Sequence, residues 1–222
     1  MQDHIIIVAG GIGSRMNNAV PKQFIQLAGK PIVVYTIEKF HRFNPKINII
    51  LVLHPEYLDF WAGLGRTFLF NIPHSVITGG EERFHSVRNA VMSIKDETGI
   101  VGIHDAVRPF VSMKTLETCY ATARAHCNAV PVITMDESLR RVEKDSSEPV
   151  DRNVFRIVQT PQCFELSLLR KAYQQEYQSG FTDDASVVES LGEQLRLVHG
   201  NRENFKITHP EDLRMAEALL SL

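Results

Sequence analysis

His4-Ile5-Ile6-Ile7-Val8-Ala9-Gly10-Gly11-Ile12-Gly13-Ser14-Arg15-Met16 decides the fold class of this chain. Residues 4–9 form a continuous apolar run, the pattern of a strand buried on both faces. A glycine-rich turn follows at once, and two cations, Arg15 and Lys22, stand close behind it. Glycine tolerates positive φ, so such a turn can aim backbone N–H groups inward as a nest for phosphate. Arginine forks onto phosphate oxygens and lysine adds a compact point charge. The competing reading is a tight surface turn with solvated charges. Two familiar phosphate loops are excluded. A Walker A loop needs Gly-Lys-Ser/Thr at its end, and a dinucleotide fingerprint starting at Gly11 needs glycine where Met16 stands and a long helix where Pro21 falls.

Beyond this turn, short apolar runs alternate with helical spacings. Residues 31–44 carry Ile32, Val33, Ile37 and Phe40 after a proline start, the spacing of a helix. Residues 47–53, 75–78, 100–104 and 129–133 read as strands, and residues 84–94 and 113–126 as helices. This alternation predicts an α/β fold: a three-layer, nucleotide-binding (Rossmann-like), mainly parallel sheet wrapped by helices. Ligands of such sheets gather beyond the carboxyl ends of the strands. There the chain places its first turn, Gly79-Gly80 and Asp105. Residues 134–158 break the rhythm. Residues 138–142 and 154–158 read as two strands around a polar turn at 144–149, a β-hairpin projecting from the sheet. With no repeats or linkers, residues 1–222 read as one domain with an arm insertion at about 135–157.

Composition excludes other classes. The 222 residues are 44% hydrophobic and 23% charged, a globular balance, with a net charge of −2. Lacking a basic run, the chain has no electrostatic footprint for duplex DNA or an anionic membrane. No apolar run approaches the ~20 residues of a membrane span. Three cysteines, Cys119, Cys127 and Cys163, with no Cys-x-x-Cys spacing, give no zinc site or disulfide framework. A soluble cytoplasmic protein is expected.

The remaining motifs each admit two readings. In Gly79-Gly80-Glu81-Glu82-Arg83-Phe84-His85-Ser86, exposed backbone, Glu81 and Ser86 can read the edge of a base, or Ser86 can cap the next helix. In His104-Asp105-Ala106-Val107-Arg108-Pro109, Asp105 is placed for a ribose hydroxyl or a metal–phosphate, or forms a salt bridge with Arg108. Thr182-Asp183-Asp184-Ala185-Ser186 reads first as a helix N-cap and second as a metal site. Thr208-His209-Pro210-Glu211-Asp212 opens a last helix over residues 210–220. Lys206, in a strand-like stretch before it, has no evident structural duty.

In order along nearly the whole chain, AGGIGSRM, PKQF, GGEERFHSV, HDAVRPF, the hairpin, TPQCF, TDDAS and NFKITHPEDL resemble the bacterial 2-C-methyl-D-erythritol 4-phosphate cytidylyltransferases. The resemblance implies CMP transfer from CTP to a polyol phosphate, with Mg²⁺ as cofactor, in isoprenoid precursor synthesis. It implies that Arg15 and Lys22 stabilise the transition state at the α-phosphate, and that Ala9, Gly10, Gly11 and Gly13 hold the triphosphate. Gly80, Glu81 and Ser86 would meet the cytosine. Asp105, with Arg108 beside it, would serve the ribose and metal–phosphate region. Arg152 and Lys206 would position the sugar phosphate, joined by Ser138 and Thr182, and the arm would clasp a second subunit so that Ser138 and Arg152 act in the neighbour's site. Gly10, Glu81, Val107 and the approach Met135-Asp136-Glu137-Ser138 depart from the family's usual residues, the last bearing on acceptor choice. A cytidylyltransferase for ribitol 5-phosphate shares these loops. A sugar-1-phosphate nucleotidylyltransferase fits the arm less well. An NAD-binding oxidoreductase is opposed by Met16 and Pro21, and a silent nucleotide-binding module by the retained cations.

Overall fold

Burial on both faces fixes the place of the first strand. In the computed structural model, which describes residues 2–11, 20–67 and 71–221, Ile5, Ile6 and Ile7 of β1 (Gln2–Ala9) are fully buried. A strand of that kind must lie inside a sheet covered by helices on either side. After it come β2 (Gln26–Leu27), β3 (Lys30–Pro31), α1 (Ile32–Phe43), β4 (Asn48–Leu53), α2 (Leu58–Thr67), β5 (Ser75–Thr78) and α3 (Arg83–Ser93). Next are β6 (Gly99–Asp105), α4 (Met113–His126), β7 (Asn128–Thr134), β8 (Leu139–Glu143), β9 (Ser146–Val150), β10 (Arg156–Val158) and β11 (Gln162–Glu165). α5 (Leu166–Tyr173), α6 (Asp184–Glu189), β12 (Leu197–His199) and α7 (Pro210–Leu220) complete the order.

Strands β5, β4, β1 and β6 are neighbours in that order and all parallel. β11 pairs with β6 antiparallel, β10 and β11 share one edge of β7, and β12 runs parallel to β7 on its other edge. Alternation along β1 divides the core. Ile5 and Ile7 pack with Val33, Phe40, Leu116 and Tyr120 on one face. Ile6 packs with Val87, Val91, Leu169 and Tyr173 on the other. This is the mainly parallel, three-layer sheet that the alternation predicts. Among the described residues no helix is long and apolar enough to cross a membrane.

The arm is built differently from the expectation. β8 pairs with β9, which lies inside the segment read as a turn, and the true turn is Lys144-Asp145 with Lys144 at φ 40°. Residues 154–158 do not belong to the hairpin. Arg156–Val158 returns to the main sheet, with Val158 opposite Val132. A ribbon exposed on both faces has no reason to alternate apolar and polar residues, so Ser146-Ser147-Glu148 looks like loop. Likewise, no strand forms around Lys206, whose segment is irregular.

His4, within β1, is fully buried. Its Nδ1 is 3.1 Å from Asn48 Nδ2, and its Nε2 is 3.6 Å from Asp96 Oδ2. Burial lowers its pKa below the ordinary 6.5, against the raising pull of Asp96 and Asp3. The unfolded chain therefore takes up this proton at a higher pH than the native one. Stability is full above 6.5 and declines as pH falls below it. Urea unfolding between pH 7 and 5 should show this decline, by at most about 1.4 kcal/mol per pH unit for one such proton. His4→Gln should make it shallower; an unchanged slope would contradict this origin.

Candidate active site

The carboxyl ends of β1, β4, β5 and β6 lie along one edge of the sheet, and a cleft of about 630 Å³ opens beyond them. Its wall contains Val8 and Ala9 at the end of β1 with Gly10 and Gly11 after it, His54 and Pro55 after β4, residues 79–83 after β5, and residues 105–107 at the end of β6. Lys22, Gln23, Ser86 and Lys206 complete it.

The first wall is shaped by a residue of the PKQF stretch that has no evident role in the sequence. Buried Gln23 donates from Nε2 to Ala9 O at 2.7 Å and to Gly11 O at 3.2 Å. It thereby pins the turn and fixes the short 3₁₀ turn Lys22–Phe24 that carries Lys22. The expected role of positive φ is not found at Gly10 or Gly11. A Cβ added at Gly11 would meet nothing within 4 Å, and one at Gly10 only Ser86 Oγ at 3.5 Å. Nothing within the described chain demands glycine at these two positions.

The second wall does need glycine. A Cβ on Gly80 would stand 2.5 Å from His85 Cβ. Ser86 does not cap α3, which begins at Arg83 after Glu82. Its buried Oγ instead accepts from the Gly80 N–H at 3.0 Å and holds the loop against the helix. Glu81 is exposed at the rim. Arg83 grips Asp184 with Nη1 at 2.8 Å and Nη2 at 2.5 Å, and Tyr173 donates to Asp184 Oδ1 at 2.6 Å. Asp184 is wholly buried, and Arg83 and Tyr173 satisfy its carboxylate there.

The third wall centres on Asp105, the last residue of β6. Its Oδ2 lies 3.0 Å from Lys206 Nζ and 3.1 Å from Arg108 Nε. Burial pushes the carboxyl up, but Lys206, Arg83 and Arg108 together outweigh it and hold the group well below the ordinary carboxylate range. One carboxylate set among cations is an arrangement suited to a polyanionic ligand.

The family model for 2-C-methyl-D-erythritol 4-phosphate cytidylyltransferase matches residues 4–222. Over 220 residues the chain is 50% identical to the protein of that name from Phocaeicola vulgatus, with 99% of this chain and 100% of the relative covered. This chain belongs to the 2-C-methyl-D-erythritol 4-phosphate cytidylyltransferase family. A relative of the same name from Geobacillus kaustophilus is 37% identical over 224 residues, covering 100% of this chain and 98% of its own. The crystal structure of 2-C-methyl-D-erythritol 4-phosphate cytidylyltransferase from Thermus thermophilus superposes with a TM-score of 0.81 at 30% identity, covering 100% of both chains. The α/β nucleotide-binding fold and the nucleotidyltransferase class are therefore those of the cytidylyltransferase family.

Of the residues to which the family resemblance gives roles, the cleft wall brings together Ala9, Gly10, Gly11, Lys22, Gly80, Glu81, Ser86, Asp105 and Lys206. Gly13 and Arg15 lie outside the described residues. Arg108 is not on the wall. It braces it from behind, with Nε on Asp105 and Nη1 on Asn204 O at 2.7 Å. Thr182 is exposed and off the wall, and its neighbour Asp183 caps α6 by accepting from Ser186 N at 2.9 Å. Ser138 and Arg152 are exposed beside the arm, with Arg152 donating to Asp136 O. Replacing Asp184 by asparagine keeps its volume and leaves Arg83 facing a neutral group. Asp184→Asn should cost about 2–4 kcal/mol in urea unfolding, part of Arg83 being in water. A cost under about 0.5 kcal/mol, the size of an ordinary surface change, would contradict the pairing.

Proposed function

We propose that this protein transfers CMP from CTP to 2-C-methyl-D-erythritol 4-phosphate, giving 4-diphosphocytidyl-2-C-methyl-D-erythritol and pyrophosphate. The observation that carries this reading is the gathering of Lys22, the 79–81 loop, Asp105 and Lys206 around one cleft in a chain of this family. An oxygen of the acceptor's phosphate attacks the α-phosphorus, and the bond from that phosphorus to the oxygen bridging to the β-phosphate breaks. Pyrophosphate leaves with the electron pair. A phosphate monoester has its second pKa at about 6, so the nucleophile is already dianionic at neutral pH and needs no general base. The work left to the protein is alignment and neutralisation of growing negative charge. Lys22, with Arg15, supplies that charge at the α-phosphate, and Lys206 orients the acceptor.

Mg²⁺ fits this cleft in one way. Among the described residues no three His, Cys, Asp or Glu side chains cluster to hold a metal, and Asp105 already faces two cations. Such a site suits an ion held chiefly by the nucleotide's phosphates, with Asp105 as its single protein ligand. Bound there, Mg²⁺ would supply positive charge between the phosphate oxygens. The arm supports a homodimer. Two exposed five-residue strands are marginal in isolation, and Val142 on β8 and Val154 just after β9 are 72% and 74% exposed. Packed on a second copy, the arm would carry Ser138 and Arg152 to the neighbour's cleft. Dependence on CTP supports a cytoplasmic location.

The reading is tested by pyrophosphate release from CTP and Mg²⁺ with methylerythritol 4-phosphate or ribitol 5-phosphate as acceptor. Preference for the first is expected; preference for the second overturns the acceptor, and release with neither overturns the reaction. In the same assay Lys22→Ala should lower kcat by about 10²–10³, the scale of a lost transition-state donor. Wild-type turnover would remove Lys22 from the mechanism.

A further inference from the structure

The Thr160-Pro161-Gln162 segment has no part in the chemistry above, yet Thr160 is buried where three segments of the cleft meet. Its Oγ1 lies 3.1 Å from the backbone N of Asp105 and 3.0 Å from Nδ1 of His104. Its carbonyl accepts from Asn204 Nδ2 at 2.8 Å. Proton counting fixes the direction of these bonds. A backbone N–H can only donate, so Thr160 Oγ1 accepts from Asp105; the Arg108 carbonyl can only accept, so Nδ1 of the neutral His104 ring is bare and accepts from the Thr160 hydroxyl. The ring proton of His104 then sits on Nε2 and donates to Arg108 O at 2.9 Å. Burial pushes the pKa of His104 down to about 4, so the ring is neutral at neutral pH, as this order requires.

The carbonyl side of Thr160 reaches the other half of the ion pair. Asn204, held by Thr160 O, also accepts from Arg108 Nη1 through its own carbonyl at 2.7 Å. Ile207 N donates to Val107 O at 3.0 Å. Lys206 lies between these two anchors, on a segment with no strand to hold it. Thr160 thus touches the backbone of Asp105 with its hydroxyl and the segment bearing Lys206 with its carbonyl.

We propose that Thr160 is a positioning residue for nucleotidyl transfer, setting where Asp105 and Lys206 stand at the cleft wall. This rests on the reading of Lys206 as a site residue. A merely structural threonine would lower turnover by the same factor whether or not Lys206 is present. A threonine acting through Lys206 cannot.

The test is kcat for pyrophosphate release in Thr160→Val, Thr160→Ser, Lys206→Ala and the Thr160→Val/Lys206→Ala pair, with folding checked by circular dichroism. Thr160→Val removes the hydroxyl at constant shape and should lower kcat about tenfold, the scale of a small misplacement of reacting groups. Thr160→Ser should restore kcat to within about twofold, because the hydroxyl is what acts. In the Lys206→Ala background Thr160→Val should cost less than about threefold more. If Lys206→Ala is impaired but the two losses multiply in full, or Thr160→Val turns over at the wild-type rate, the proposal is overturned alone. If Lys206→Ala itself turns over at the wild-type rate, the role of Lys206 falls and this proposal with it. Should Thr160→Val not fold, Thr160→Ala carries the same comparison.

Discussion

A carboxylate at the end of a central strand is 9% exposed and still charged, and much of the structure follows from what that requires. Asp105 has Lys206 and Arg108 within 3.1 Å of one oxygen. Burial raises its pKa, and Lys206, Arg83 and Arg108 outweigh that and hold it down. Lys206 comes from near the end of the chain, so keeping Asp105 ionised obliges residues 204–207 to dock against the end of β6. Arg108 enforces this by bonding Asp105 and the Asn204 carbonyl with one guanidinium. The result is a rigid wall of fixed charge where a phosphate chain would lie, and fixed charge in a poorly solvated site is what phosphoryl-type transfers use.

The rest of the cleft is built by polar side chains that hold loops rather than by the glycines themselves. Gln23 ties the turn after β1, Ser86 ties the loop after β5, and the Arg83–Asp184–Tyr173 group locks that loop's helix to α5 and α6. Each of these polar groups is paired, which makes the loops specific in shape. The parallel sheet supplies the common edge; these pairings supply the geometry on it.

Much of this was legible from residues alone. The run at residues 4–9 identified a strand buried on both faces. Pro31 and Pro210 marked helix starts that the structure reproduces at Ile32–Phe43 and Pro210–Leu220. The arm's second strand was not legible, because a ribbon bathed in solvent carries no period. Ser86 looked like a cap because it lies just inside a helix, whereas its partner is Gly80 in the preceding loop. What Lys206 and Thr160 pair with could not be read locally. Their partners sit on distant segments, Thr160 being 55 residues from Asp105, and only the folded sheet brings them together. Local pattern reveals elements and their faces; the pairing of buried polar groups is a property of the tertiary fold.

Whether the Asp105 charge organises the site is tested most directly in Asp105→Asn, which keeps the side-chain shape and removes the charge. If it does, a variant that still unfolds cooperatively should release pyrophosphate about 10²-fold more slowly than wild type, as expected when a preorganised electrostatic contact is lost. A cooperatively folded Asp105→Asn protein with wild-type turnover would contradict it.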